Sequence, residues 1–251
     1  MPDLIEFLLA EWPLVLGMAA IAVFFLVSWW REPALRRCIE AEDPRAKLDA
    51  YASLMIHLWS LAGLVVGAWF VSGRDLVSLG LSAPALTVWG WGSWLVAGLC
   101  AAYLLYTIAQ TALSSTTRDT LRKQFEESGD YALIQPKHGR EYRRFYGVAV
   151  TAGVTEEIIF RGFLIGALAL ILPVWAAAGL AVMVFVIGHS YQGVSGMVRI
   201  LPISLLLTGL FLASGSLWPG IALHILVDLT GGAIFHLTGA SPSSTDSEAA
   251  A

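Results

Sequence analysis

Gly153-Val154-Thr155-Glu156-Glu157-Ile158-Ile159-Phe160-Arg161-Gly162 decides how this chain folds, because two adjacent glutamates and an arginine stand inside an otherwise apolar run. Each ionisable side chain at bilayer depth costs about 2.5–3.5 kcal/mol on insertion scales, so three together demand partners and mark a working site. On a helix at about 100° per residue, Arg161 falls four residues after Glu157 and on nearly the same face. It falls five residues after Glu156 and well round the cylinder from it. The spacing therefore predicts an ion pair between Glu157 and Arg161. Glu156 is left without a partner in its own helix, pointing to the bundle interior or to a wet cavity.

Working outward, the rest of the chain is built for lipid. Hydrophobic residues make up 57% of its 251 residues and charged residues 14%. The mean hydropathy is +0.71, well outside the range of ordinary soluble domains. Runs long enough to span a bilayer occur at 13–30, 51–72, 88–112, 147–172, 174–190, 198–214 and 217–238. The expected architecture is all-α: one polytopic transmembrane bundle of about seven spans, with a cytoplasmic amphipathic helix. The segment before the first run carries Asp3, Glu6 and Glu11, and without a basic n-region or a small-residue cleavage site it does not read as a removable signal.

Charge placement orients the bundle. Arg31, Arg36, Arg37, Arg45 and Lys47 lie between the first two runs, and Arg118, Arg122, Lys123, Lys137, Arg140, Arg143 and Arg144 between the third and fourth. The positive-inside rule puts both loops in the cytoplasm. The loop after the second run has only Arg74, and the turns near 173 and 215 have no lysine or arginine. An outside N-terminus and a cytoplasmic C-terminus follow, as does a bacterial inner membrane for a compact chain without an organellar targeting signal. Four parts result: N-terminal spans at 1–112, a cytoplasmic amphipathic segment at 113–146 with Leu121, Phe125, Leu133 and Tyr142, a catalytic core at 147–238, and a disordered tail at 239–251. No basic stripe suits nucleic acid. Cys38 and Cys100 read as free thiols without metal-ligand spacing.

Two further polar constellations follow the glutamates. Phe185-Val186-Ile187-Gly188-His189 closes the fifth run, and His224-Ile225-Leu226-Val227-Asp228 places a histidine and an aspartate four apart, close enough for the carboxylate to fix the ring tautomer. If the fourth and fifth runs form a hairpin at Leu172-Pro173, Glu156 lies sixteen residues before Leu172 and His189 sixteen after Pro173, at one height. His224 is only nine residues past Gly215, so a deeper turn or a helix broken at Pro219-Gly220 is needed to bring it level. His57, His138 and His236 have no such partners and read as structural.

In this order, Glu156, Glu157 and Arg161, then Phe185 and His189, then His224 and Asp228 resemble the CPBP intramembrane proteases, the group of the type II CAAX prenyl proteases and the bacteriocin-processing or Abi proteins. Ala152-Gly153-Val154, Arg161-Gly162-Phe163-Leu164 and Gly215-Ser216-Leu217-Trp218 agree with it, and the resemblance covers about residues 140–232. It implies hydrolysis of a peptide bond in a membrane-embedded or lipidated peptide or protein within the lipid bilayer. Desolvation makes a carboxylate a stronger base, which suits Glu156 to take a proton from water with Phe160 helping to exclude solvent. His189 shares the water or protonates the leaving amine, while Glu157 and Arg161, with Phe185, hold the surroundings in place. The family assigns oxyanion stabilisation to the last histidine and its Asn or Asp partner. An ionised Asp228 has no hydrogen to donate, so donation falls to His224 and ring orientation to Asp228.

A metal-free mechanism without cofactor is the favoured reading, and zinc held by His189, His224 and Glu156 is the competing one, although no His-Glu-x-x-His helix is present. Gly193-Val194-Ser195-Gly196 spells the Gly-x-Ser-Gly of rhomboid serine proteases, but a serine enzyme leaves Glu156, Glu157 and Arg161 without a role. A proton-coupled transporter or an immunity-type membrane protein would use the carboxylates as a relay, yet the chain lacks the repeat symmetry of transporters.

Overall fold

The computed structural model describes residues 9–41, 43, 45–83, 87–128 and 135–239. In lipid a backbone must satisfy its own hydrogen bonds, which apolar sequence does by forming helices. Among the described residues there are helices and no strands. In chain order they are α1 (Trp12–Glu40), α2 (Ala46–Val71), α3 (Val88–Leu113), α4 (Ser115–Ser128) and α5 (Gly139–Glu156). The last runs directly into a π-helical segment, Glu157–Leu164, and then α6 (Ile165–Leu168). After these come α7 (Val174–Gly188), a 3₁₀ turn (Ser190–Gln192), α8 (Gly193–Ser214) and α9 (Trp218–Gly239).

Among the described residues five helices are long and apolar enough to cross a membrane: α1, α2, α3, α8 with its preceding turn, and α9. The expected count of seven differs at two places. Helix α7 is apolar but shorter. The run at 147–172 is divided among α5, the π segment and α6, with its regular α-helical pattern interrupted where the charged residues sit.

Helix α5 and the π segment occupy the middle, packed on α2, α7 and α9. Ile159, Phe163 and Leu164 enter the core beside Leu14, Val65, Trp69 and Leu217. Small residues permit the approach, as between membrane helices generally. A Cβ on Gly153 would lie 2.9 Å from the backbone nitrogen of Ile225, so α5 and α9 touch nearly backbone to backbone. At the periphery, α3 turns Trp91, Leu95, Leu99, Tyr103 and Tyr106 outward, a surface suited to hydrocarbon with aromatic residues near its ends.

The height of His224 is explained by a buried turn. Between α8 and α9 the chain reverses at Gly215, whose φ of +66° needs a glycine, and Ser216 and Leu217 are nearly inaccessible. Residues 72–83 fold over this turn. Leu217 N–H donates to the Gly80 carbonyl at 2.8 Å and the Ser216 hydroxyl to the Ser82 carbonyl at 2.7 Å. The turn is thus a deep one, and α9 begins inside the protein with Pro219 in its first turn, where the missing N–H costs nothing. Of the two routes that could level His224, the deep turn is realised; Pro219-Gly220 breaks no helix. Segment 72–83 is itself fastened by Arg74, which forms a bidentate pair with Glu11 at 2.8 and 2.9 Å. That pair holds the Glu11 carboxyl below the ordinary glutamate range, chiefly through the hydrogen bond from Arg74.

The hydrophilic segment after α3 forms α4, which leans on the end of α9: the rings of Phe125 and Phe235 lie 5.1 Å apart and Arg122 donates to the Thr238 carbonyl at 2.8 Å. Leu133, Asp3, Glu6 and the tail from residue 240 lie outside the described residues. Cys38 and Cys100 are free thiols.

Candidate active site

A π segment widens the helix and changes the phase of its side chains, a distortion that is frequent at functional sites. Here it begins at Glu157 and contains Arg161. Arg161 donates to Glu157 Oε1 at 2.9 Å, with both side chains 1% exposed. The pair is therefore the intrahelical one that the spacing predicts. A guanidinium this deep needs more than one acceptor. Arg161 also donates to the hydroxyl and the carbonyl of Ser204 at 3.0 and 3.3 Å, and its charge lies 4.3 Å from the centre of the Phe185 ring.

His224 arrives from α9 and donates from Nδ1 to the same Glu157 oxygen at 2.8 Å. Because a carboxylate paired with arginine only accepts, Nδ1 carries the hydrogen. This corrects the expected role of Asp228. Its carboxylate stands 3.8 Å from Nε2 of His224, beyond hydrogen-bonding distance, and the ring is oriented by Glu157 instead. The reason is that Gly220 leaves space for Glu157: a Cβ there would sit 3.1 Å from Glu157 Oε2.

Glu156 also stands 3.8 Å from His224 Nε2. Nε2 thus faces two carboxylates at equal distance, with Glu156 14% and Asp228 33% exposed. Access to this space improves toward Asp228.

His189 ends α7, and its Nδ1 lies 2.8 Å from the Phe185 carbonyl oxygen. A carbonyl only accepts, so Nδ1 holds the hydrogen and the neutral ring keeps its lone pair on Nε2. Phe185 links the two histidines, with ring centres 4.6 Å from His189 and 6.1 Å from His224, and it packs edge-on against Phe160 at 5.1 Å. Glu156, Glu157, Arg161, His224 and Asp228 thus form one polar cluster, and His189 joins it across Phe185.

Outside it, His57 is bonded to the Ser53 carbonyl at 2.6 Å, His236 stacks edge-on with Tyr142 at 5.0 Å, and His138 precedes α5. Ser195 lies in the first turn of α8. Among the described residues no three His, Cys, Asp or Glu side chains converge as ligands of one metal ion. Nδ1 of His224 is given to Glu157, so Nε2 is the ring nitrogen left to act on a water, a substrate or a metal ion.

Sequence reasoning misses Ser204, whose signal is a polar side chain in an apolar helix two residues after Pro202. Gly220 is missed as well.

Residues 141–230, which include every member of this cluster, match the family model described as type II CAAX prenyl endopeptidase Rce1-like. The match supports membership of the CPBP family. With the helices long and apolar enough to cross a membrane, it supports a membrane protease; the matched region begins in α5 and leaves α1 to α4 outside it. No curated protein and no solved structure matches the chain.

Proposed function

We propose that this protein is an intramembrane endopeptidase that hydrolyses a peptide bond in a membrane-embedded or lipidated substrate with water activated by Glu156. The observation that carries the reading is the division of labour between adjacent glutamates. Glu157 is engaged by Arg161 and His224, whereas Glu156 faces His224 Nε2 at 3.8 Å, on the side where exposure rises toward Asp228.

In this mechanism Glu156 takes a proton from water, and the oxygen bonds to the scissile carbonyl carbon while the carbonyl electron pair moves onto its oxygen. His224, when doubly protonated, donates from Nε2 to that oxyanion, and Glu157 keeps the ring aimed. Collapse re-forms the carbonyl and breaks the C–N bond, the departing amine taking the proton held by Glu156, directly or relayed through His189 Nε2. Arg161 fixes Glu157 and does not touch the substrate. No step needs a metal or cofactor.

The charge pattern supports seven membrane passes, with loops 31–47 and 114–146 in the cytoplasm and the N-terminus outside, in a bacterial inner membrane. The experiment is a comparison of peptide termini in cells with and without the protein, the expected result being a membrane-associated peptide whose terminus shifts only when Glu156 is intact. An identical set of termini in cells carrying wild type and Glu156→Gln contradicts the proposal. In a cysteine-free background, Lys123→Cys should react with an impermeant thiol reagent only after the membrane is opened, and Val77→Cys in intact cells; the reverse pattern inverts the orientation.

A further inference from the structure

An oxyanion formed beside Glu156 and Asp228 needs more than one hydrogen-bond donor, and the cluster described above supplies only one. Asp228, as a carboxylate, has no hydrogen to give, and His224 has committed Nδ1 to Glu157. A second donor must come from another wall of the site.

The 3₁₀ turn after His189 provides it. Ser190–Gln192 leaves α7 and is closed by Gly193 at φ +72°, a conformation that favours glycine and sends the chain into α8. The turn places the Tyr191 ring against the His189 ring, centres 5.8 Å apart and tilted by 32°. The His189 ring in turn lies 4.6 Å from that of Phe185, which faces His224 at 6.1 Å, so Tyr191 extends the same wall of the site. Its polarity is set by its neighbour, because Gln192 Nε2 donates to the Tyr191 hydroxyl oxygen at 3.0 Å. With a lone pair filled by that N–H, the hydroxyl hydrogen is directed away from Gln192 and is available to a third group. Gln192 is in turn held against α8 by the absence of a side chain at Gly196, where a Cβ would lie 2.4 Å from Gln192 Cβ.

We propose that Tyr191 is a further catalytic residue, whose hydroxyl donates to the scissile carbonyl oxygen together with His224 and supplies the hydrogen bond that Asp228 cannot. No proton is transferred by Tyr191: as water oxygen bonds to carbon and its proton passes to Glu156, the carbonyl electron pair moves to an oxygen held by two donors, and it returns when the C–N bond breaks. The inference rests on the proposed protease reading.

The test compares wild type, Tyr191→Phe and Glu156→Gln in proteoliposomes on two quenched-fluorescence probes, a farnesylated peptide and a single-span transmembrane peptide. Tyr191→Phe keeps the ring on His189 and removes one donor, so kcat should fall about 100-fold or more, as for loss of an oxyanion donor elsewhere, with KM and melting temperature unchanged. Wild-type kcat in Tyr191→Phe, with Glu156→Gln inactive, overturns this inference alone. A fall in melting temperature that accompanies the loss of kcat assigns Tyr191 a structural role and likewise overturns it. Full activity in Glu156→Gln, or a wild type inert toward both probes, defeats the protease reading and this inference with it.

Discussion

Replacing Arg161 with Met separates the structural from the chemical work of the buried cluster. Glu157 and Arg161 are each 1% exposed, so the variant leaves a carboxylate in the core with its cation gone. Breaking a buried pair from one side costs about 3–5 kcal/mol. The Ser204 hydroxyl, which accepts from Arg161 at 3.0 Å, loses that donor as well. In a chain of 251 residues each kcal/mol moves Tm by about 2–4 °C, so Arg161→Met should melt about 6–20 °C below wild type in detergent. Removing both charges is far less costly than removing one, because no orphan charge remains. Glu157→Met with Arg161→Met should therefore regain most of the lost Tm. It should stay inactive, since His224 Nδ1 then lacks the carboxylate that aims it at 2.8 Å. A single variant that melts with wild type, or a double variant that melts below the single one, refutes the reasoning.

Two further outcomes follow from the packing around the site. Gly153→Ala puts a methyl group 2.9 Å from the Ile225 backbone nitrogen and must push α9 away from α5, so peptidase activity should fall at least about tenfold by lengthening the Glu157–His224 bond; Gly67→Ala, with nothing within 4 Å, should be silent in the same assay. The Glu11–Arg74 pair is the pH-sensitive one: its folded-state pKa lies below the unfolded value, so its contribution, about 0.2–1 kcal/mol for a pair of this exposure, is present above the ordinary glutamate pKa and is lost as pH falls through the lowered one. The Tm difference between wild type and Arg74→Gln should accordingly be constant near neutrality and vanish in acid, and a difference that grows in acid contradicts the pairing.

How much of this is legible in the sequence depends on the range of each contact. Glu157 with Arg161 is read directly, because both partners ride on one stretch of helix and four residues fix their separation. The helical class and the five helices long enough to cross are read from apolar length alone, whereas the shortness of α7 and the division of the run at 147–172 are not. What spacing cannot supply is the choice between partners on different helices. Asp228 is four residues from His224 and looks like its natural partner, yet Glu157, 67 residues away, takes the ring because α5 and α9 meet across Gly153 and Gly220. The same limit hides Ser204 as the second acceptor of Arg161 and the covering of the 215–217 turn by residues 72–83. The π segment is equally invisible, since its apolar residues fit either helix type.

The central claim is that Glu156 activates water without a metal. The direct measurement is cleavage of a reporter peptide by purified, exhaustively chelated protein, comparing wild type with Glu156→Gln at matched melting temperature. Full wild-type activity after chelation, with no cleavage by the folded Glu156→Gln variant, is the predicted result. Cleavage by Glu156→Gln, or wild-type activity lost to the chelator and restored by stoichiometric zinc, contradicts it.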